Sequence, residues 1–237
     1  MLFAGNRLSN IVLGRNSMSE ANPKQPEQQP VPKAVVNRLS LYLRELQHLL
    51  AERRETISSG ELGSRLGFTD AQVRKDLAYF GQFGYPGIGY RCGELVPAIR
   101  KILGTQFEWP VVMVGIGNLG HALLGYKGFA RQGFHIVAAL DSDPAKIGTT
   151  VEGIEVADIS DLVPIIKQKK VRLGMIAVPA PAAQQVADQM VEAGVDGIVN
   201  FAPVTISIPE HISLVGVDLA IELEQIAFAV VNRGDSR

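Results

Sequence analysis

Six consecutive residues, Gly115-Ile116-Gly117-Asn118-Leu119-Gly120, carry the sharpest chemical signal in the chain. A Gly-x-Gly-x-x-Gly run alone is weak, because glycines punctuate many turns. This one follows the apolar stretch Val111–Val114 and opens a helical pattern, and Asp141 ends a second apolar stretch twenty-one residues after Gly120. Together they make the dinucleotide-binding fingerprint. Gly115 permits the tight turn, Gly117 lets the backbone approach a pyrophosphate, and Gly120 lets helix and strand pack closely. The helix start offers N–H donors and a positive dipole end to phosphates. Ile116, Asn118 and Leu119 belong to the same cradle. Asp141 is placed to accept hydrogen bonds from the adenosine ribose. Ser142 and Asp143 follow it with no arginine to hold a 2′-phosphate, which favours NAD(H) over NADP(H). Val178-Pro179 ends a further strand on the side where this fold binds ligands, a second candidate contact. The bland alternative is a βα turn that binds nothing.

A second constellation lies upstream. Ser58-x-x-Glu61 and Thr69-x-x-Gln72 are two capping boxes, each opening a short helix, with Gly67 closing the first and the second running to about Phe80. Two short helices joined by a tight turn form a helix-turn-helix pattern, over about residues 45–84. Its second helix carries Gln72 and Arg74 as candidates for base edges and Lys75 for a phosphate. Arg65 and Tyr90 complete the candidate DNA contacts. A solvated helix face is the bland reading of the same residues. Gly81 to Tyr90 holds four glycines and a proline among aromatics, the chemistry of a hairpin or wing, whose basic residue is Arg91.

Catalytic equipment is missing from the pattern. A dehydrogenase needs a substrate domain and a proton donor, yet after the last strand near Ile212–Val215 only about 20 residues remain. Tyr126 and Lys127 are adjacent rather than at Tyr-x-x-x-Lys spacing. No catalytic residue is expected. His48, His121, His135 and His211 form no metal-ligand spacing and Cys92 stands alone, so no metal is expected either. Cys92 reads as structural, and Lys167–Lys170 as a solvated helix end. A dinucleotide site beside a DNA-reading module, without catalytic groups, reads as a sensor.

The elements that must position these residues follow from periodicity. Val35, Leu39, Leu43, Leu46 and Leu50 recur at helical spacing within a helix over Ala34–Glu52, and Glu94–Leu103 is a further helix. Short apolar runs at Val111–Val114, Ile136–Leu140, Leu173–Val178 and Gly197–Phe201 read as strands buried on both faces. Helices near Leu119–Tyr126, Ile159–Lys169 and Ala182–Ala193 separate them, and Asp218–Val231 is a last helix. The expected fold is α/β: an N-terminal winged-helix domain, then a Rossmann-like doubly wound parallel sheet, then a C-terminal helix. The expected divisions are 1–33, a disordered tail with four prolines in residues 19–33; 34–104, the winged-helix DNA-binding domain; 105–217, the NAD(H)-binding domain; and 218–237, the last helix. Residues 1–17 read as an upstream extension outside the fold. At 46% hydrophobic and 20% charged the chain can fill a core, and no apolar run approaches the ~18–20 residues of a membrane span. Net charge divides as +2, +3 and −6 over residues 1–33, 34–104 and 105–237, so an anionic partner would meet the first half. A cytoplasmic protein is expected, with neither membrane nor metal among its partners.

In these residues the chain resembles the bacterial redox-sensing repressors of the Rex family. The resemblance runs from Val35 to Val231. It rests on Leu41-Tyr42-Leu43-Arg44, Gln72 to Leu77 with Tyr79-Phe80-Gly81, Gly87-Ile88-Gly89-Tyr90 and Gly115 to Gly120. It continues through Tyr126 with Gly128-Phe129, Asp141-Ser142-Asp143-Pro144, Val178-Pro179, Asn200-Phe201-Ala202-Pro203 and Val217-Asp218. The resemblance implies a homodimer with a domain-swapped C-terminal helix, which makes 218–237 the dimerisation helix. It implies repression of respiration and fermentation genes through an inverted-repeat operator in double-stranded DNA. It implies NADH and NAD⁺ as effectors that are not turned over, the reduced form releasing the protein from DNA. It carries over Arg44, Tyr126 and Asp218 as a switch network, with Tyr126 beside the cofactor. On the residues alone, Asp218 is equally the N-cap of the last helix, Tyr126 a partner for Phe129, and Arg44 a surface residue pairing with Glu45 or Glu52. Tyr85-Pro86 stand where the family usually has basic residues. Two other classes fit the bare pattern: a small NAD-dependent oxidoreductase whose first domain dimerises, and a CoA- or nucleotide-binding module.

Overall fold

The structure, a computed structural model, describes residues 31–233. The expected tail therefore lies outside the described residues except for its last three, as does the extension read into residues 1–17. Helix α1 (Lys33–Ala51) buries Leu39, Tyr42, Leu43, Leu46 and Leu49, which fall on one helical face, against the rest of the first domain. Strand β1 (Thr56–Ile57) leads to α2 (Ser59–Leu66) and α3 (Asp70–Ala78). Each expected capping box forms only one half. Ser58 Oγ accepts from Glu61 N and Thr69 Oγ1 from Gln72 N, both at 3.1 Å. The Glu61 carboxylate turns instead to Arg54, and the Gln72 amide to Asp76. Helix α3 stops at Ala78 rather than Phe80, because Phe80 N closes a tighter turn onto Leu77 O at 3.0 Å.

The wing is β2 (Gly84–Tyr85) and β3 (Gly89–Arg91), followed by α4 (Cys92–Ile102). It has a third strand that the sequence reading missed: β1 pairs antiparallel with β3, Thr56 opposite Arg91 and Ile57 opposite Tyr90. Two residues are too few to show alternation.

The second domain begins at β4 (Trp109–Val114). There follow α5 (Asn118–Leu124), α6 (Gly128–Arg131), β5 (Phe134–Asp141), β6 (Thr150–Val151) and β7 (Ile154–Asp158). Then come α7 (Leu162–Lys169), entered through a 3-10 turn at Ile159–Asp161, and β8 (Leu173–Ile176), α8 (Ala180–Ala193), β9 (Gly197–Asn200) and β10 (Ser213–Gly216). The sheet order is β10-β9-β8-β4-β5-β7-β6, all parallel except the β6–β7 pair. Counting only the six parallel strands along the chain, this is order 3-2-1-4-5-6, with the topological switch between β4 and β8. Strands β6 and β7 were not expected. Ile154-Glu155-Val156-Ala157-Asp158 carries two acidic residues in five because it lies next to the sheet edge, so it lacks the unbroken apolar run of a strand buried on both faces.

Along β4, Val112 and Val114 face α7 and α8 while Val111 and Met113 face the other side, and all four are buried. The second side is covered incompletely. With seven and four residues, α5 and α6 leave an apolar cavity of about 320 Å³ open over Phe129, Phe134, Leu173, Val199, Phe201 and Val215. Helix α9 (Leu219–Arg233) closes the described chain with every residue exposed, Phe228 at 72% among them. No helix among the described residues is long and apolar enough to cross a membrane. At the junction of the domains Trp109 donates its Nε1–H to Gly104 O at 2.9 Å, and the Arg172 guanidinium lies 4.8 Å above its ring. Gln132 of the second domain donates to Gln47 of the first at 3.2 Å.

Candidate dinucleotide site and DNA-reading helix

A cavity of about 830 Å³ opens at the C-terminal ends of β4, β5 and β8, where the strand order reverses. Gly115, Gly117, Asn118, Leu119, Asp141, Val178 and Pro179 line it, as the sequence reading expects. Gly115 sits at φ +94°, and a side chain there would meet Ala177 O at 2.5 Å. Gly120 lies behind the loop, where a Cβ would overlap the Gly115 carbonyl. Ile116 points into the core, but its N–H donates to Asp141 Oδ2 at 2.7 Å.

Asp141 is more heavily engaged than its sequence position suggests. Oδ1 accepts from Asp143 N at 2.9 Å, and Oδ2 also accepts from Lys146 Nζ at 3.0 Å. Burial alone would raise this carboxyl, but the two backbone N–H groups and then Lys146 outweigh it and hold it below the usual carboxylate range. The sequence reading missed Lys146, Gln185 and Gln189 on the cavity wall. The two glutamines are four apart on α8, a same-face spacing that could have marked them. Lys146 carries no such mark, since the turn from Asp143 to Lys146 sets its place. Among the described residues lining the cavity there is no His, Cys or Tyr, and no cluster of three or more His, Cys, Asp or Glu among them could hold a metal.

Tyr126 stands apart from these residues in the single chain. It does not line this cavity. Helix α5 runs away from the Gly-rich loop for seven residues, roughly 10 Å at 1.5 Å per residue, and Tyr126 follows its far end. There it packs edge-on against Phe129, centroids 5.0 Å apart, in a cleft of about 880 Å³ between the domains. Arg44 lines the same cleft. Neither expected partner of Arg44 reaches it, because Glu45 pairs with Arg65 at 2.8 Å and Glu52 with His48 at 3.6 Å. Asp218 lies elsewhere, on a cavity beside Asn200 and Val217, where its Oδ1 accepts from Ala220 N at 2.9 Å. One chain thus brings Arg44 and Tyr126 to one cleft and leaves Asp218 outside it.

In the first domain α3 is anchored through a buried carboxylate. Asp76 is 1% exposed and accepts from Arg38 Nε at 2.6 Å, Arg38 Nη2 at 2.8 Å, Tyr42 Oη at 2.8 Å and Gln72 Nε2 at 2.7 Å. Burial raises its carboxyl, yet the hydrogen bonds from Arg38, Tyr42 and Gln72 together hold it below the ordinary range. Arg74 is exposed, paired with Asp70 at 2.8 Å and bonded to Ser59 Oγ at 3.1 Å. Lys75 is exposed with no ion pair among the described residues. Arg65 ties α2 to Glu45 on α1.

Tyr90 needs correction as a DNA contact. It is 7% exposed and packs within the first domain's core, because β3 pairs with both neighbours and turns this ring inward. It cannot present itself to DNA. The wing also closes on itself: the Arg91 guanidinium lies 4.6 Å over the Tyr85 ring and 3.2 Å from Glu94, which accepts from Tyr85 Oη at 2.9 Å.

Of the exposed candidates, Arg74 and Lys75 should separate by function. Arg74→Ala is expected to weaken specific DNA binding by about 1–3 kcal/mol and relax the preference at one base pair per half-site. Lys75→Ala should weaken binding to all sequences evenly and make the salt slope shallower. Titrations against specific and scrambled duplexes at several salt concentrations check both, and unchanged affinity in both variants would remove α3 as the reader.

A winged-helix module joined to a Rossmann domain with a ligand cavity defines a ligand-responsive DNA-binding protein. Family models agree with each half: residues 30–78 match a putative DNA-binding protein N-terminus, and residues 107–204 a CoA binding domain. The chain is similar to the redox-sensing transcriptional repressor Rex of Desulfitobacterium hafniense, 48% identical over 203 residues, covering 86% of this chain and 97% of the relative. The Rex repressor of Pelotomaculum thermopropionicum is also 48% identical, covering 86% and 95%. A crystal structure of RSP in complex with beta-NAD⁺ and operator DNA matches with a TM-score of 0.82 at 34% identity, over 87% of this chain and 95% of that one. RSP in complex with beta-NADH matches at 0.78 and 32% identity, over 87% and 97%. The chain belongs to the Rex family of redox-sensing transcriptional repressors.

Proposed function

We propose that the chain is a cytoplasmic repressor that binds an inverted-repeat operator as a homodimer when its second domain holds NAD⁺ and leaves it when that domain holds NADH. The regulated genes are those of respiration and fermentation, as in the family it belongs to. The observation that carries the reading is the pairing, in one chain, of an exposed helix bearing Arg74 and Lys75 with a fingerprint cavity at the switch point of a parallel sheet. The functional division is 34–104 for DNA, 105–217 for the dinucleotide and 218–237 for dimerisation. The cavity fits the ligand: Gly117 has open space where a Cβ would stand, and Gly115 and Gly120 hold the loop close. The bound dinucleotide supplies a nicotinamide that is cationic when oxidised and neutral when reduced, and it acts as an effector only.

Two unsatisfied surfaces support a dimer with exchanged helices. Helix α9 carries exposed Leu219, Leu223, Ile226 and Val230 on one face and Ile221 and Phe228 on the opposite one, and the open apolar cavity over β8 to β10 lacks a covering helix. Placing α9 of one copy on the sheet of the other satisfies both. The exchange also brings Asp218 of the partner subunit towards the cleft that holds Arg44 and Tyr126. Arg44 then pairs with that carboxylate in the DNA-binding state, and Tyr126 takes the hydrogen bond in the released state.

A mobility shift on an inverted repeat, titrated separately with NADH and NAD⁺, tests the reading, and equal response to both overturns it. Linkage requires operator DNA to weaken NADH binding by the factor with which NADH weakens operator binding, a hundredfold factor corresponding to about 2.7 kcal/mol. Tyr126→Phe should shrink that factor, and Arg44→Ala should weaken operator binding even without NADH. Unchanged coupling in Tyr126→Phe and Asp218→Ala removes the switch while leaving the sensor.

A further inference from the structure

The ribose end of the cavity contains a cation. Asp141 is 7% exposed and already holds three donors, so little of its carboxylate remains for a ligand. The neighbouring group that reaches open space is Lys146. Its side chain is 36% exposed, and its ammonium stands 3.0 Å from Asp141 Oδ2 and 3.7 Å from Asp143 Oδ2. All three side chains line the cavity. The local fold delivers the lysine there. Asp143 Oδ1 accepts from Ala145 N at 3.0 Å and Asp143 O from Lys146 N at 2.9 Å, a single turn that carries Lys146 back over the end of β5.

We propose that Lys146, clamped between Asp141 and Asp143, reads the adenosine ribose of the dinucleotide and that the three charges together reject a ribose carrying a phosphate. The inference rests on the dinucleotide reading above and names the residues that select within it. An ammonium has three donors. Two face carboxylates, and the third is free for a ribose hydroxyl. The exposed Asp143 oxygen accepts from the same sugar. A hydroxyl both donates and accepts, so it fits between an ammonium and a carboxylate. A phosphate only accepts. It must draw Lys146 away from both carboxylates, and it then lies a few ångströms from two uncompensated negative charges. The selection therefore comes from the excess of one negative charge at the mouth, with a lysine present, rather than from the absence of a cation.

The experiment titrates NADH, NADPH and coenzyme A, whose ribose carries a 3′-phosphate, into the full chain and four variants, with melting temperatures measured for each. The unmutated protein should prefer NADH to both phosphorylated ligands. Asp143→Asn keeps an acceptor for Ala145 N and removes one charge, so NADPH should gain roughly tenfold relative to NADH. Lys146→Ala should lower both affinities, NADPH the more, and widen the preference by a similar factor. Lys146→Arg should restore the original ratio. Lys167→Ala, the same change of net charge outside the cavity, should move neither ratio. A Lys146→Ala protein that gains NADPH relative to NADH, an unchanged ratio in Asp143→Asn, or no rescue by arginine overturns the proposal and leaves the dinucleotide reading standing. Unmutated protein that prefers coenzyme A to NADH, or binds none of the three, overturns both.

Discussion

Asp76→Ala should lower the melting temperature of the DNA-reading domain by more than about 10 °C and abolish operator binding under conditions where the unmutated protein is folded. Asp76 accepts four hydrogen bonds, three of which, from Arg38 and Tyr42, join α3 to α1. Without it, the part-buried Arg38 guanidinium loses its bidentate partner and the fully buried Tyr42 hydroxyl loses its acceptor. Removing one member of a buried ion pair costs about 3–5 kcal/mol, because the other member stays desolvated. Against a typical total of about 5–15 kcal/mol that is a large share, and each kcal/mol moves the midpoint of a domain this small by about 4–8 °C. Asp70→Ala, which removes an exposed and solvent-screened pair with Arg74, should leave the melting temperature nearly unchanged. The sign of the pH dependence follows from the depressed carboxyl of Asp76. Its stabilisation is complete above the unfolded value near pH 4 and is lost as pH falls through the lower folded value, so neutral pH lies on the plateau. Thermal melts at pH 7 and pH 3 check both statements, and a midpoint within 2 °C or so of the original in Asp76→Ala would show the cluster to be dispensable.

The second large effect is expected at Gly120. A methyl group there overlaps the Gly115 carbonyl, so either α5 moves outward or the loop does. In either case the donors of the loop leave their positions. Gly120→Ala should weaken NADH binding by a hundredfold or more, about 2.7 kcal/mol, and yield a repressor that NADH no longer releases. Gly117→Ala is the informative companion. Nothing lies within 4 Å of a Cβ at that position, so the fold should be untouched while the approach of a pyrophosphate is blocked. Calorimetric titration with NADH, paired with operator binding, separates the two. Native NADH affinity in Gly120→Ala would mean that the loop does not hold the phosphates.

What could be read from the chain beforehand was what is encoded locally. The Gly115–Gly120 spacing, the caps at Ser58 and Thr69 and the apolar stripe of α1 each fall within one turn or one strand, and each stands where the pattern puts it. The misses depend on partners distant in sequence. Tyr90 reads as the exposed end of a wing until β1 pairs with β3 and turns it inward. With two acidic residues in five, β7 becomes a strand only beside β5. Lys146 reaches Asp141 through a turn that no apolar period announces.

Trp109 is the sole tryptophan of the chain, and it sits where the two domains meet, bonded to Gly104 and lying against Arg172. Its ultraviolet emission is therefore a report from one place, with no label to attach and no second indole to subtract. A rotation of the DNA-reading domain must pass through the Gly104–Trp109 segment, altering the solvation of that ring or its distance from the guanidinium, both of which change brightness and colour. Reduced nicotinamide absorbs in the band where tryptophan emits, so energy transfer from the same residue measures its separation from bound NADH. The molecule carries its own optical gauge of hinge and ligand together, readable in real time in a stopped-flow cell.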